Sequence, residues 1–297
     1  MRIWLMAARP RTLPAAVAPV LVGTALAMTV VDLHVGGFIA ALLGAIFIQV
    51  GTNLSNDYSD ARRGADTEER LGPVRVTAGG LVPPRQVLVA TYVSFALAVA
   101  CGAYLIALAG PVLLAIGAAS ILAGVLYTGG PRPYGYEGLG EVFVFLFFGL
   151  VAVAGSYYVQ TEDLRWEALV LAVPVGLLAA AILVVNNVRD LETDRRAGKR
   201  TLAVRLGRPA TRTIFGVMVY GAFVTAPLVW PIAELGDGSP AGTPWLLLPL
   251  ILLPVAVALV RLVRTHTDGA TLNLALARTG LLQLGFCVLL SIGLLLS

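Results

Sequence analysis

The sequence predicts an all-α polytopic membrane protein, and three observations predict it. The mean hydropathy is +0.86. Charged residues make up only 13% of the 297 positions, where soluble domains carry roughly a quarter. Apolar runs recur at about 13–31, 37–56, 87–109, 111–128, 139–160, 168–188, 213–232, 244–263 and 275–296. Each is near the ~20 residues a helix needs to cross the hydrocarbon layer, which gives about nine transmembrane helices.

The segment before the first run holds Trp4, Leu5 and Arg9-Pro10-Arg11-Thr12, a composition suited to a short amphipathic stretch at the membrane interface. Without a small-residue cleavage site, the first run reads as a retained span, and Pro14 and Pro19 predict a kink in it. The spans at 87–109 and 111–128 are joined only by Gly110-Pro111, a tight hairpin. Of the 21 Lys and Arg, all but Arg165 then fall on one side. Positive charge stays cytoplasmic, so the amino terminus is expected inside the cell membrane and the carboxyl terminus outside it. The net charge of +4 is thus a topology signal and no sign of nucleic-acid binding. Cys101 and Cys287 lie inside apolar runs and read as core, and His34 and His266 fall on opposite sides, which leaves no His-rich metal centre.

Two acidic stretches organise the chain. The first is Asn53-Leu54-Ser55-Asn56-Asp57-Tyr58-Ser59-Asp60, continuing to Asp66; the second is Asn186-Asn187-Val188-Arg189-Asp190-Leu191-Glu192-Thr193-Asp194. If each apolar helix continues through its motif, Asn53, Asn56, Asp57 and Asp60 share one face, as do Asn186, Asn187, Asp190 and Asp194. The likeness predicts one integral-membrane domain over 1–297 with a pseudo-repeat, 13–138 and 139–264, and a final helix at 275–296. The loop after the first motif interleaves acids with Arg62, Arg63, Arg70 and Arg75 and reads as an ordered, ligand-facing cap. Arg132 stands among Tyr127, Tyr134 and Tyr136; the tyrosines suit either an aromatic wall or interfacial anchors. Glu141 opens the fifth span and should face the bundle interior. Spans seven to nine and the outer loop 233–243 read as scaffold.

Clustered carboxylates repel one another, so a positive charge must sit between them. Loop arginines pairing with the acids would make a structural cluster. The accompanying asparagines favour a metal, because amides add ligand oxygens without adding charge. All-oxygen sets suit magnesium, which shares its remaining positions with substrate phosphates. Arg132, Lys199 and Arg200 would complete a diphosphate cradle. An apolar cavity leading inward from it would accept a lipid tail, which makes a polyprenyl diphosphate the natural substrate. A cation-coupled transporter is the reading of another class; both clusters lie at one membrane face, whereas transporters bind near the midplane.

The pairing of Asn56-Asp57-x-x-Asp60 and Asp66 with Asp190-x-x-x-Asp194 and Lys199-Arg200-Thr201-Leu202-Ala203 resembles the aspartate motifs of the UbiA superfamily of intramembrane aromatic prenyltransferases. Ala8-Arg9-Pro10-Arg11-Thr12-Leu13-Pro14, Gly72-Pro73-Val74-Arg75 and the stretch from Tyr127-Thr128-Gly129-Gly130 to Gly140-Glu141 extend the likeness from residue 7 to about 210. Within the superfamily the chain is similar to the enzymes that prenylate 1,4-dihydroxy-2-naphthoate in menaquinone synthesis, with 4-hydroxybenzoate and ubiquinone the alternative acceptor and product. The resemblance implies a UbiA-like bundle of nine helices around a central cavity. It implies magnesium held by Asn56, Asp57, Asp60, Asp190 and Asp194, the four aspartates being catalytic. Diphosphate would be bound by Asn53, Arg75, Arg132, Lys199 and Arg200. Arg9, Arg11, Tyr127, Tyr134, Glu141 and Asn187 would contact the acceptor or an allylic cation, with Phe145 as a further aromatic face. Arg9, Arg11 and Arg75 are all candidates for the acceptor's carboxylate.

Overall fold

The computed structural model describes residues 2–65, 71–235 and 242–297; Asp66, Arg70 and most of the 233–243 connector lie outside the described residues. All regular structure among them is helical. A short α1 (Arg2–Ala8) exposes Ile3, Trp4, Leu5 and Met6, and a 3-10 turn (Pro10–Thr12) leads into α2 (Pro14–Ala27). The expected kink falls at the first of the two prolines that mark it. The chain bends by 49° before Pro14, and α2 runs on through Pro19. Within the segment before the bend, Arg9 has a left-handed φ of 53°, a region that non-glycine residues rarely occupy. Side chains of the next helix hold it there. Asn53 Nδ2 donates to Ala8 O at 3.0 Å and to Thr12 Oγ1 at 3.2 Å, Gln49 Nε2 donates to Thr12 Oγ1 at 3.1 Å, and Thr12 Oγ1 donates to Arg9 O at 3.0 Å.

The remaining elements are α3 (Val35–Arg62), α4 (Pro84–Ala109), α5 (Val112–Leu126), α6 (Gly140–Thr161), α7 (Trp166–Arg196), α8 (Leu202–Leu235), α9 (Pro244–Thr265) and α10 (Gly269–Leu295). Each of the nine apolar runs thus has its helix in α2 to α10. Seven are long and apolar enough to cross a membrane, the bent α1–α2 pair makes an eighth, and α5 has only 15 residues. Helices α3 and α7 continue unbroken through both acidic motifs, as the shared-face expectation requires. α10 begins earlier than its apolar run, because Asp268 caps its first turn by accepting from Thr271 N at 2.8 Å. That cap brings Asn273 onto the helix. α8 leaves helical geometry at Gly207, and α6 passes through a π-helical stretch, Phe145–Val151.

With lipid tails as apolar as leucine, burial drives bundle assembly weakly and close packing drives it instead. Accordingly α7, the most enclosed helix, buries Ala168, Ala172, Gly176, Ala179, Ala180 and Ala181, while the periphery stays apolar, with Ile251 72% and Val217 65% exposed. Both cysteines are free, Cys287 buried and Cys101 partly so. A close approach joins α2 to α6, where a Cβ on Gly23 would lie 2.2 Å from Val153 O and 2.8 Å from Ser156 Cβ. Gly23→Val should therefore lower stability by about 1–3 kcal/mol, read as a drop of several degrees in the thermal midpoint of the detergent-solubilised protein.

Candidate active site

The second half of α3 and the last turns of α7 face each other across one cavity. Asn53, Asn56 and Asp60 line it from α3, and Asn186, Asn187, Asp190 and Asp194 from α7, with Arg75, Lys199, Thr128 and Tyr136 closing the polar end. Asp60 is 1% and Asp190 4% exposed. Ionised carboxylates this far from water need countercharge and hydrogen bonds, and both have them. Asp60 Oδ1 accepts from the Tyr136 hydroxyl at 2.6 Å, and its Oδ2 meets Lys199 Nζ at 3.3 Å and Arg75 Nη2 at 3.4 Å. The Lys199 ammonium also lies 4.7 Å from the centre of the Tyr136 ring, a cation–π contact. Asp190 is held by both arms of its own neighbour, Arg189, at 2.7 and 2.5 Å. Asn56 Oδ1 accepts from the Thr128 hydroxyl at 2.8 Å, and Asn187 Nδ2 donates to Glu141 Oε1 at 2.6 Å.

From this polar end a cavity of about 480 Å³ runs into the bundle between Ile48, Leu105, Leu113, Ile116 and Val159. Its wall beside the acids is aromatic. Tyr127 meets Tyr134 edge-on at 5.5 Å, Tyr134 stacks on Phe143 at 4.0 Å, and Phe143 is followed by Phe147 at 6.2 Å. The Tyr134 hydroxyl donates to Ala123 O at 2.8 Å, and burial pushes this phenol up from its ordinary range. It therefore stays neutral at physiological pH and presents only its ring.

The sequence pattern of the UbiA prenyltransferase family matches residues 16–292. The chain belongs to the UbiA prenyltransferase family. A Mycobacterium tuberculosis protein named 1,4-dihydroxy-2-naphthoate octaprenyltransferase is 42% identical over 285 residues, covering 95% of this chain and 92% of its own. An Escherichia coli protein of the same name is 37% identical over 93% of this chain and 89% of its own. A UbiA homologue from Archaeoglobus fulgidus, solved with DMAPP and Mg2+, is 15% identical but has the same fold, with a TM-score of 0.70 and 98% of each chain covered.

In this UbiA-family chain the acids fit a hard divalent cation, although among the described residues no three acidic, histidine or cysteine side chains form a ready-made cage. Magnesium does not need one: it binds through one or two carboxylates and completes its shell with water and substrate phosphate. Asp60, Asp190 and Asp194, with amide oxygens beside them and the buried Arg75 and Lys199 at the same mouth, supply that chemistry.

Several residues expected at the site stand elsewhere. Asp57 lies off the cavity face of α3, and its two oxygens accept from Val76 N at 3.1 Å and Thr77 N at 2.9 Å. It anchors the loop that carries Arg75. Arg11, Arg132 and Arg200 are exposed and outside the cavity wall; the backbone of Arg200, not its side chain, ties two loops together by donating to Tyr136 O at 2.8 Å. Of the three arginine candidates for a carboxylate, Arg9 and Arg75 line the cavity and Arg11 does not. Glu141 is buried behind Asn187, as expected of a bundle-facing acid, without reaching the cavity wall. Phe145 packs on Gly176 of α7, because residues two apart on a helix point to opposite sides; Phe143 and Phe147, one turn apart, face the cavity instead.

Tyr136, Thr128 and Arg189 join the site outside the expected set, on Asp60, Asn56 and Asp190 respectively. Only Tyr136 carried a signal, as an aromatic beside Arg132. Asp57→Ala would leave two buried backbone N–H groups unpaired, a loss of about 2 kcal/mol or more. Limited proteolysis should then cut faster within 71–83, with a lower thermal midpoint even without ligand.

Proposed function

We propose that this protein transfers a polyprenyl group from polyprenyl diphosphate to 1,4-dihydroxy-2-naphthoate, releasing carbon dioxide and diphosphate and leaving the ring as the quinol, the reduced form of demethylmenaquinone. The observation that carries the reading is the joining, in one cavity, of a polar mouth holding acids and buried cations to an apolar interior lined by aromatics. It is a shape and charge pattern made for a molecule with a dianionic-to-trianionic head and a hydrocarbon tail. The likeness to proteins named for naphthoate prenylation supports the acceptor.

In this reading Arg75 and Lys199 take the diphosphate oxygens, Lys199 as a point charge and Arg75 as a fork. Asp60, Asp190 and Asp194, with the Asn56 amide, would hold Mg2+. When bound, the metal supplies Lewis-acid charge that draws electrons onto the leaving diphosphate. As the allylic carbon–oxygen bond breaks, the positive carbon lies against the faces of Tyr127, Tyr134 and Phe143, a cation–π contribution of about 2 kcal/mol when desolvated. The apolar cavity excludes the water that would otherwise capture that carbon. Arg9, held at the cavity edge by its left-handed backbone, is placed to pair with the acceptor's carboxylate while the electron-rich ring attacks. The concentration of basic residues around this mouth supports a cytoplasmic setting for it and for the amino terminus.

Turnover of purified protein with polyprenyl diphosphate and either 1,4-dihydroxy-2-naphthoate or 4-hydroxybenzoate, with Mg2+ or with chelator, tests the reading. We expect magnesium-dependent product with the naphthoate, and a loss of about 100-fold or more in Asp60→Asn and in Asp190→Asn. Product only with hydroxybenzoate would move the acceptor assignment and keep the site.

A further inference from the structure

Arg189 and Asp190 are consecutive on α7, so their side chains leave the helix about 100° apart and neighbours in this relation do not normally face each other. Yet the guanidinium grips both Asp190 oxygens, at 2.7 and 2.5 Å, in a pocket where Arg189 is 2% exposed. It can reach round because two other acceptors hold it from behind: Asn186 Oδ1, one turn back, takes Nη2 at 2.7 Å, and Asn273 Oδ1 of α10 takes Nη1 at 2.7 Å. Asn273 in turn donates its Nδ2 to Leu71 O at 2.9 Å. Arg189 does not line the cavity, so it is no part of the diphosphate cradle.

From this arrangement we infer that Arg189 is a built-in counter-cation for Asp190, a positioning residue that holds the carboxylate oriented before metal arrives and is displaced from it on metal loading. The inference rests on the magnesium reading above. A guanidinium is always charged, so its two arms return countercharge and hydrogen bonds to both Asp190 oxygens in a buried site. Arginine and a divalent cation on one carboxylate repel each other, so the two compete for Asp190. Release does not strand the guanidinium, because Asn186 and Asn273 still accept from it. Through Asn273 the same event reaches Leu71, four residues from Arg75, so that the loop bearing a diphosphate ligand is tied to the metal side of the site.

The competition gives a prediction opposite in sign to that of a purely structural ion pair. Thermal melting of the full chain in detergent is followed as Mg2+ is added, with and without inorganic diphosphate, for wild type, Arg189→Gln and Arg189→Lys. Arg189→Gln should melt about 5 °C or more lower without metal, because Asp190 is left buried and unpaired. It should nevertheless reach half of its magnesium-induced stabilisation at about tenfold lower Mg2+ than wild type, with Arg189→Lys, a point charge lacking the fork, in between. If wild type responds to Mg2+ and both variants respond at the same or a higher concentration, the counter-cation role is overturned and the magnesium reading stands. If wild type shows no response to Mg2+ under either condition, the magnesium reading fails and this inference with it. Should Arg189→Gln not fold, Arg189→Lys decides alone: a lower half-point supports displacement, and an unchanged or higher one overturns it.

Discussion

An ionised carboxylate shut away from water loses several kcal/mol of hydration unless charge and hydrogen bonds are returned to it, and Asp60 and Asp190 impose that demand at the polar mouth of the bundle. Around Asp60 it is met by three different elements: Arg75 from the loop between α3 and α4, Tyr136 from the turn before α6, and Lys199 from the turn after α7. These are the segments that must come together for the cavity to be closed at its polar end. The acids thus organise the loops as much as they organise ligands.

Asp57 extends the same logic to the backbone. By accepting from two consecutive amides, at Val76 and Thr77, it fixes the loop so that Arg75 points inward. Asn53 acts likewise on the amino-terminal side, where its amide holds the bend before α2 and with it the left-handed Arg9. Residues of one motif on one helix therefore divide between two tasks. Those facing the cavity offer oxygens to it, and those at its edge hold the loops that bring cations there.

Much was legible in the chain because hydrophobicity and charge are local properties. The nine apolar runs, the continuation of α3 and α7 through their acidic motifs, and the inward Glu141 follow from composition and from the 3.6-residue repeat. Motif spacing likewise pointed to the two helices that meet at the cavity. Less legible were the roles within a motif. Asp57 and Asp60 have the same chemistry, and only the position of the 76–77 backbone separates an anchor from a cavity ligand. Phe145 and Phe143 were equivalent as aromatics until the crossing of α6 and α7 turned one into packing and the other into wall.

By itself the sequence determined the membrane-spanning helical class and the setting of carboxylates beside cations at the ends of two apolar helices, since each depends on residue type and short-range periodicity. The tertiary structure alone decided which cation meets which acid. Arg132 and Arg200 stand in solvent while Arg75, Lys199 and Arg189 are buried on carboxylates. A side chain's partner is set by loops and helices brought together from 139 residues away, as Lys199 is to Asp60, and no local pattern encodes that distance.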